Sequence, residues 1–354
     1  MKIAPVLHAL EGETWCRPIL VHTGQHYDES MSDAFFRDLR LPKPDYHLDI
    51  GSGSHAEQTD GVMVAYEKIC LERRPDRIVV VGDVNSTMAC ALVAAKSCIP
   101  LAHLEAGLRS RDRTMPEEIN RLVTDAISDL LWTPSPDGDE NLRAEGVPES
   151  RIERVGNIML DSFEMLRGPI EAAGTRARFG LSARDYGVVT LHRPANVDSA
   201  DVLATIVDQL TACAREIDLV FAVHPRTRKN LMDFDLIERL EQAPGLCVTT
   251  PLGYVAFMSL VLDATLVVTD SGGIQEETTY LDIPCLTVRD NTERPITVTQ
   301  GTNRLVRPGD IQAAVARVLN GDWPRGRRPE LWDGRTAGRI VDSLKRHLRD
   351  GVIP

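Results

Sequence analysis

Long apolar runs are missing from these 354 residues. None approaches the roughly 20 residues that a bilayer-spanning helix needs. The first ten residues carry one lysine and a short apolar stretch interrupted by His8, which excludes a membrane anchor and argues against a secretory leader. Aromatic residues make up only 5% of a chain that is 43% hydrophobic, so its cores must be aliphatic. Positive charge is also short, with Lys+Arg 40 against Asp+Glu 52 and a net charge of -12. No general nucleic-acid or anionic-membrane surface is expected from such a balance, and an anionic ligand must meet a local cationic pocket. The seven cysteines are scattered, odd in number and never spaced CxxC; a reduced cytoplasm is their simplest home. Metal signatures, a Walker loop, a Gly-x-Gly-x-x-Gly fingerprint and a Gly-x-Ser-x-Gly elbow are absent too, so metal, ATPase, nicotinamide and serine-hydrolase readings lack their signals. His22 and His26 run from a strand into a turn and imply no helical metal geometry.

What is present is a regular alternation of short aliphatic runs with helical patterns. From Pro18 onward, strands are expected near 19–22, 77–81, 101–104 and 130–133, with helices near 56–72, 86–96 and 116–127 between them. This is the grammar of a parallel sheet covered on both faces. The second half repeats it with strands near 187–191, 219–223, 247–249, 266–269 and 285–288. The expected fold is α/β, two doubly wound Rossmann-like domains facing a cleft, with residues 1–167 in the first and 168–336 in the second. A last amphipathic helix, 337–350, has Ile340, Leu344 and Leu348 on one face for packing back on the first domain.

One stretch organises the reading: Thr265 to Glu277, TLVVTDSGGIQEE. A β-branched strand, a Ser-Gly-Gly turn and a helix start aim the amides of Ser271, Gly272 and Gly273 at whatever lies above the sheet, where the helix dipole favours an anion. Glu276 and Glu277 follow one turn later, in reach of a ribose diol. The ordinary alternative is a βα turn with an acidic first helical turn. Polar clusters recur at other strand ends: Asp83 in GDVN, Glu105 in HLEAGLR, Glu117 and Glu118 in MPEEINR. Asp83 as a helix cap and the glutamates as dipole partners are the bland readings. Three carboxylate clusters at one end of one sheet suggest acid/base work on a proton that is hard to remove. His192 with Arg193, and His224 with Arg226, sit past adjacent strands and form the candidate cationic pocket for a diphosphate.

With GDVNST, HLEAGLR, MPEEINR, TLHRPANVD, DSGGIQEE and RDNTERP in order along the chain, the sequence closely resembles the non-hydrolysing UDP-N-acetylglucosamine 2-epimerases. The resemblance implies a glycosyltransferase-B type fold and interconversion of UDP-GlcNAc and UDP-ManNAc without cofactor or metal. It further implies a UDP-sugar as the only partner besides a second copy in a homodimer. Position by position, it makes Asp83, Glu105, Glu117 and His192 catalytic. Lys2, Leu252, Phe257, Ser271, Gly272, Gly273, Glu277 and Arg294 become substrate contacts, with Arg193, His224 and Arg226 as further phosphate or supporting groups. Gln25 and His26 fit the edge of an activator site found in some members, although Asp28 stands where glutamine is expected.

The family also begins with a strand and a Gly-x-Arg-Pro-Glu turn that this sequence does not contain. MKIAPVLHAL aligns with the helix after them, so Met1 is expected to be an internal methionine of a longer product. Two rival functions stay open: a retaining glycosyltransferase of the same fold, and a nucleotide-sugar-binding pseudoenzyme.

Overall fold

The computed structural model describes residues 1–24 and 36–349; Gln25, His26 and Asp28 lie outside them. The chain divides into two compact units, Met1–Met165 with Glu330–Pro354, and Leu166–Pro329. Both are α/β.

In the second unit, β7 (Tyr186–Thr190), β8 (Asp218–Ala222), β9 (Leu246–Thr249), β10 (Leu266–Thr269), β11 (Cys285–Thr287) and β12 (Asn303–Leu305) form one all-parallel sheet, ordered β12-β11-β10-β7-β8-β9. Buried on both faces, its central strands are continuous aliphatic runs: Val188, Val189, Val267 and Val268 are all fully buried. Each contributes about 1.5–3 kcal/mol of transfer free energy. Strands β8 and β9 extend the sheet on one side of β7, and β10, β11 and β12 extend it on the other. The order therefore reverses between β7 and β10, and a crevice opens there beyond their carboxyl ends.

The first unit holds a four-stranded parallel sheet, β3 (Ile78–Val81), β4 (Leu101–Leu104), β5 (Leu130–Thr133) and β6 (Ile152–Arg154), in sequence order. A separate parallel pair joins β1 (Val21–His22) to β2 (Tyr46–His47). Among the described residues no strand joins β1 to β3. Helices are set by local signals. Ser54 and Glu57 form a capping box at the start of His55–Arg73, and Arg74 closes it in the left-handed region. Pro116 opens Pro116–Ile127 at a position where its missing N–H costs nothing. The chain begins in a helix, Ala4–Leu10. It packs with the last helix, Thr336–Arg349, in a core where Val6, Trp132, Ile340 and Leu344 meet. Leu348, assigned to the same stripe, is 43% exposed. Trp132 donates from its indole to Ser343 Oγ at 2.9 Å, and Asp161 accepts the Ala337 amide at 2.7 Å, fixing that helix in place.

The stretch 168–180, which follows the domain boundary expected from sequence, is mostly helical. Ile158–Ala172 runs on through Pro169, and a short helix, Thr175–Arg178, follows.

Candidate active site

In the second unit the polar residues converge at the reversal between β7 and β10. Asp270, fully buried at the end of β10, accepts hydrogen bonds from the amides of His192 and Arg193 (3.0 and 2.8 Å) and from the Asn196 side chain (3.0 Å). His192 Nδ1 lies 2.9 Å from its carboxylate. Burial alone would raise the pKa of Asp270, but His192 and these donors outweigh it and hold the carboxyl below its usual value. An ionised Asp270 fixes the His192 ring and leaves Nε2 for a ligand. His224 sits with its ring centroid 5.6 Å from that of His192, and burial, then the His192 charge, lowers its pKa.

Next to them the helix begins at Gly272, two residues earlier than its apolar pattern suggests, with Ser271 as N-cap. The Ser271 amide donates inward to Thr269 Oγ1 at 3.0 Å, so the outward donors of this turn are Gly272 and Gly273, whose N–H groups have no carbonyl a turn behind them. A Cβ on Gly272 would stand 2.7 Å from Glu293 Oε1 and 2.8 Å from an Arg294 guanidinium nitrogen, so glycine is required where Arg294 crosses the turn. Arg294 is buried and pairs with Glu276 at 2.9 Å and Glu293 at 2.7 Å; Arg289 pairs with Glu293 at 2.9 Å. Burial would raise the Glu293 pKa, yet Arg294 and Arg289 bring it down to about 2. The arginines are thus held rigidly but already neutralised. Arg193 reaches the Asp270 carbonyl (3.0 Å), whereas Arg226 is engaged by Asp198 (2.8 Å).

Further along the same helix Glu277 is buried and accepts from the Tyr254 hydroxyl at 2.6 Å. Burial pushes its pKa up to about 7; the Tyr254 bond opposes the rise and neighbouring Glu276 adds to it. Tyr254 opens the helix Tyr254–Leu262, which also carries Phe257 and is preceded by Leu252; both are half-buried.

The first unit gathers Lys2, Asp83 and Glu105 at the carboxyl ends of β3 and β4. Lys2 and Glu105 form an ion pair, and a Cβ on Gly82 would stand 3.3 Å from Lys2 Nζ and 3.4 Å from Glu105 Oε2. Glu105 is held at φ +78°, in the left-handed region that a glutamate rarely adopts; such strain is a mark of functional positions. Asp83 does not cap the following helix, whose N-cap is Val84, but pairs with Arg121. Asn120 donates to the Asp83 carbonyl at 2.9 Å.

Helix phase separates the two MPEEINR glutamates. Glu118 is buried and accepts from Ser110 (2.9 Å), Arg111 (2.9 Å) and Arg121 (2.7 Å). Glu117 is half-buried and bonds no described residue. It stands three and four residues before Asn120 and Arg121, on their helix face. Beneath the strand ends lies a network that sequence reasoning missed. Buried Asp125 is 2.6 Å from His103 Nδ1 and 2.7 Å from Arg109, and accepts the Gly107 amide at 3.0 Å. Asp270 and Tyr254 were also missed, although an aspartate between a strand and Ser-Gly-Gly is a signal that could have found the former.

Comparison with known proteins identifies the family. The UDP-N-acetylglucosamine 2-epimerase family profile matches residues 8–345. The UDP-N-acetylglucosamine 2-epimerase of Methanocaldococcus jannaschii is 42% identical over 349 residues, 97% of this chain and 95% of that protein. Its crystal structure in complex with UDP-GlcNAc and UDP superposes with a TM-score of 0.86 over 98% of this chain and 96% of that one. The UDP-2,3-diacetamido-2,3-dideoxy-D-glucuronate 2-epimerase of Pseudomonas aeruginosa is 40% identical over 97% of this chain and 96% of its own. With buried aspartate, fixed histidine and glycine turn at one sheet reversal and a profile match from residue 8 to residue 345, the chain belongs to the UDP-N-acetylglucosamine 2-epimerase family.

Proposed function

We propose that this chain interconverts UDP-GlcNAc and UDP-ManNAc by eliminating UDP and adding it back. The observation that carries the reading is the buried Asp270 holding His192 beside the Gly272–Gly273 amides, a site built for a leaving pyrophosphate. C2–H of an acetamido sugar is too weak an acid for direct removal. Breaking the C1–O bond to UDP while C2 loses its proton gives a glycal and free UDP; protonation of the opposite face of C2 and return of the UDP oxygen to C1 give the epimer. Backbone amides, His192 Nε2 and Arg294 stabilise the departing diphosphate, and Glu277 accepts from the ribose. Leu252 and Phe257 flank the base. Glu117, unengaged by its own fold, handles the proton on one face of C2, and a carboxylate of the Asp83 and Glu105 pair serves the opposite face. Asp83 and Glu105, each held by a cation, orient the sugar along with Lys2. The reaction needs no cofactor. The same reading makes the enzyme a cytoplasmic homodimer.

Incubation with UDP-GlcNAc alone in deuterated water tests this: UDP-ManNAc should accumulate with deuterium at C2. Nucleotide binding without exchange would mean a pseudoenzyme, and inertness until an acceptor is added would mean a transferase. Because the Pseudomonas relative is nearly as similar as the archaeal one, the diacetamido uronate is the substrate to offer in competition.

A further inference from the structure

We propose that His103, buried beneath the strand ends of the first unit, is a permanent imidazolium and a positioning residue, whose two ring N–H groups clamp together the turns that carry Asp83 and Glu105. The positioning role rests on the epimerase reading; the charge and the clamp do not.

His103 is fully buried on β4, between Val80 of β3 and Leu131 of β5. Its Nδ1 lies 2.6 Å from Asp125 Oδ1 and its Nε2 2.8 Å from the Gly82 carbonyl oxygen. A carbonyl can only accept. Asp125 is an acceptor as well, because its other oxygen already takes the Gly107 amide at 3.0 Å and the Arg109 guanidinium at 2.7 Å, donors that favour the carboxylate over the acid. Both ring nitrogens must therefore donate, and an imidazole with two N–H groups is a cation. A neutral ring would set a bare lone pair against one of these oxygens, with no water to take its place. Burial by itself lowers the His103 pKa, but the Asp125 charge and bond, the Gly82 carbonyl and Glu105 together raise it.

The charged groups around this pair are few and mostly committed. Glu105 closes the same strand and pairs with Lys2. Arg109 is shared between Asp125 and Glu145, the latter in a two-pronged contact at 2.8 and 2.6 Å. Arg121, one turn before Asp125 on its helix, is taken by Asp83 and Glu118. The flanking strands present only Val80 and Leu131, and the helix Asn85–Lys96 has no charge before its last residue.

One imidazolium thereby reaches two turns. Nε2 fixes the carbonyl of the peptide bond leading into Asp83, with Gly82 held at φ +72°. On the other side Asp125 fixes the amide of Gly107, two residues past the strained Glu105, and Asn141 donates to the Gly107 carbonyl at 2.9 Å. Backbone strain persists only where the surroundings over-determine it, and here the surroundings are a bonded chain from β3 through His103 and Asp125 to the turn after β4. The same cation puts unscreened positive charge under a cluster of carboxylates.

The test uses the full chain with isotopically labelled histidine and nitrogen NMR. At about pH 9, where an unperturbed histidine is neutral, one of the nine histidines should still show two proton-bearing imidazolium nitrogens, and its signal should vanish in His103→Gln. In His103→Gln and Asp125→Asn, amide exchange across residues 82–85 and 105–109 should quicken by about tenfold or more. Their kcat for epimerisation should fall by about tenfold or more with the Kd for UDP unchanged. The acid limb of the kcat profile should move to higher pH, which lost packing alone would not produce. Nine neutral histidines at that pH would overturn the inference whether or not either variant folds. So would a folded His103→Gln that keeps the parent's exchange at both turns, or its kcat and pH profile. A parent chain that leaves UDP-GlcNAc unchanged would sink the epimerase reading instead, with the nitrogen spectrum and the turn exchange still deciding the clamp.

Discussion

Glu277 is a buried carboxyl whose pKa burial raises from 4.5 to about 7, so its charge is set within the working pH range. The unfolded chain ionises it first; the native state therefore loses stability as pH rises from about 4.5 through about 7 and has lost it fully above that. Glu277→Gln should abolish this slope and gain on the order of 3 kcal/mol over the parent at pH 8, read by urea unfolding at pH 5 and pH 8. Tyr254→Phe removes the donor that opposes the shift and should extend the window upward in the same assay. Glu117→Gln should cut kcat by about 10²-fold or more with UDP affinity unchanged and C2 exchange lost; undiminished epimerisation would take Glu117 out of the reaction. The residue pattern alone put Glu117 and Glu118 side by side, and only the family resemblance singled out Glu117. Helix phase adds a physical reason: it turns Glu118 onto Ser110 and Arg121 and spends that carboxylate on structure.

Glycines decide two of the connecting turns. Gly107 has φ +82° and a Cβ there would stand 2.4 Å from the Gly138 carbonyl oxygen, a backbone atom with nowhere to go. Gly107→Ala should therefore cost at least about 2 kcal/mol, measured by chemical denaturation. Gly272→Ala meets side-chain ends instead, but both are buried in ion pairs. It should cost about 1–3 kcal/mol of stability and weaken UDP binding at least tenfold by calorimetry, through displacement of Arg294. At this scale the strands were highly legible, because a parallel strand buried on both faces is a continuous aliphatic run: 101–104 and 130–133 match β4 and β5 to the residue. The helix through Pro169 was not. Gly168-Pro169 reads as punctuation, yet Phe163, Leu166 and Ile170 on its apolar stripe are all buried, and packing overrides the local signal.

Across the molecule, each unit has its own aliphatic core. With UDP alone at a hundredfold excess over Kd, the ligand should add about 2.7 kcal/mol to the unit that binds it. Exchange protection should then concentrate in residues 166–329, at the ends of β7 and β10. Protection centred instead on β3 and β4 would move the nucleotide site to the first unit. The sequence by itself determined the α/β class, the strands and the polar strand ends, since hydrophobic period and turn chemistry are local properties of a chain. Tertiary structure alone decided which of those ends share a crevice. Sheet order, a non-local property, puts Asp270 under His192 and commits Arg226 to Asp198.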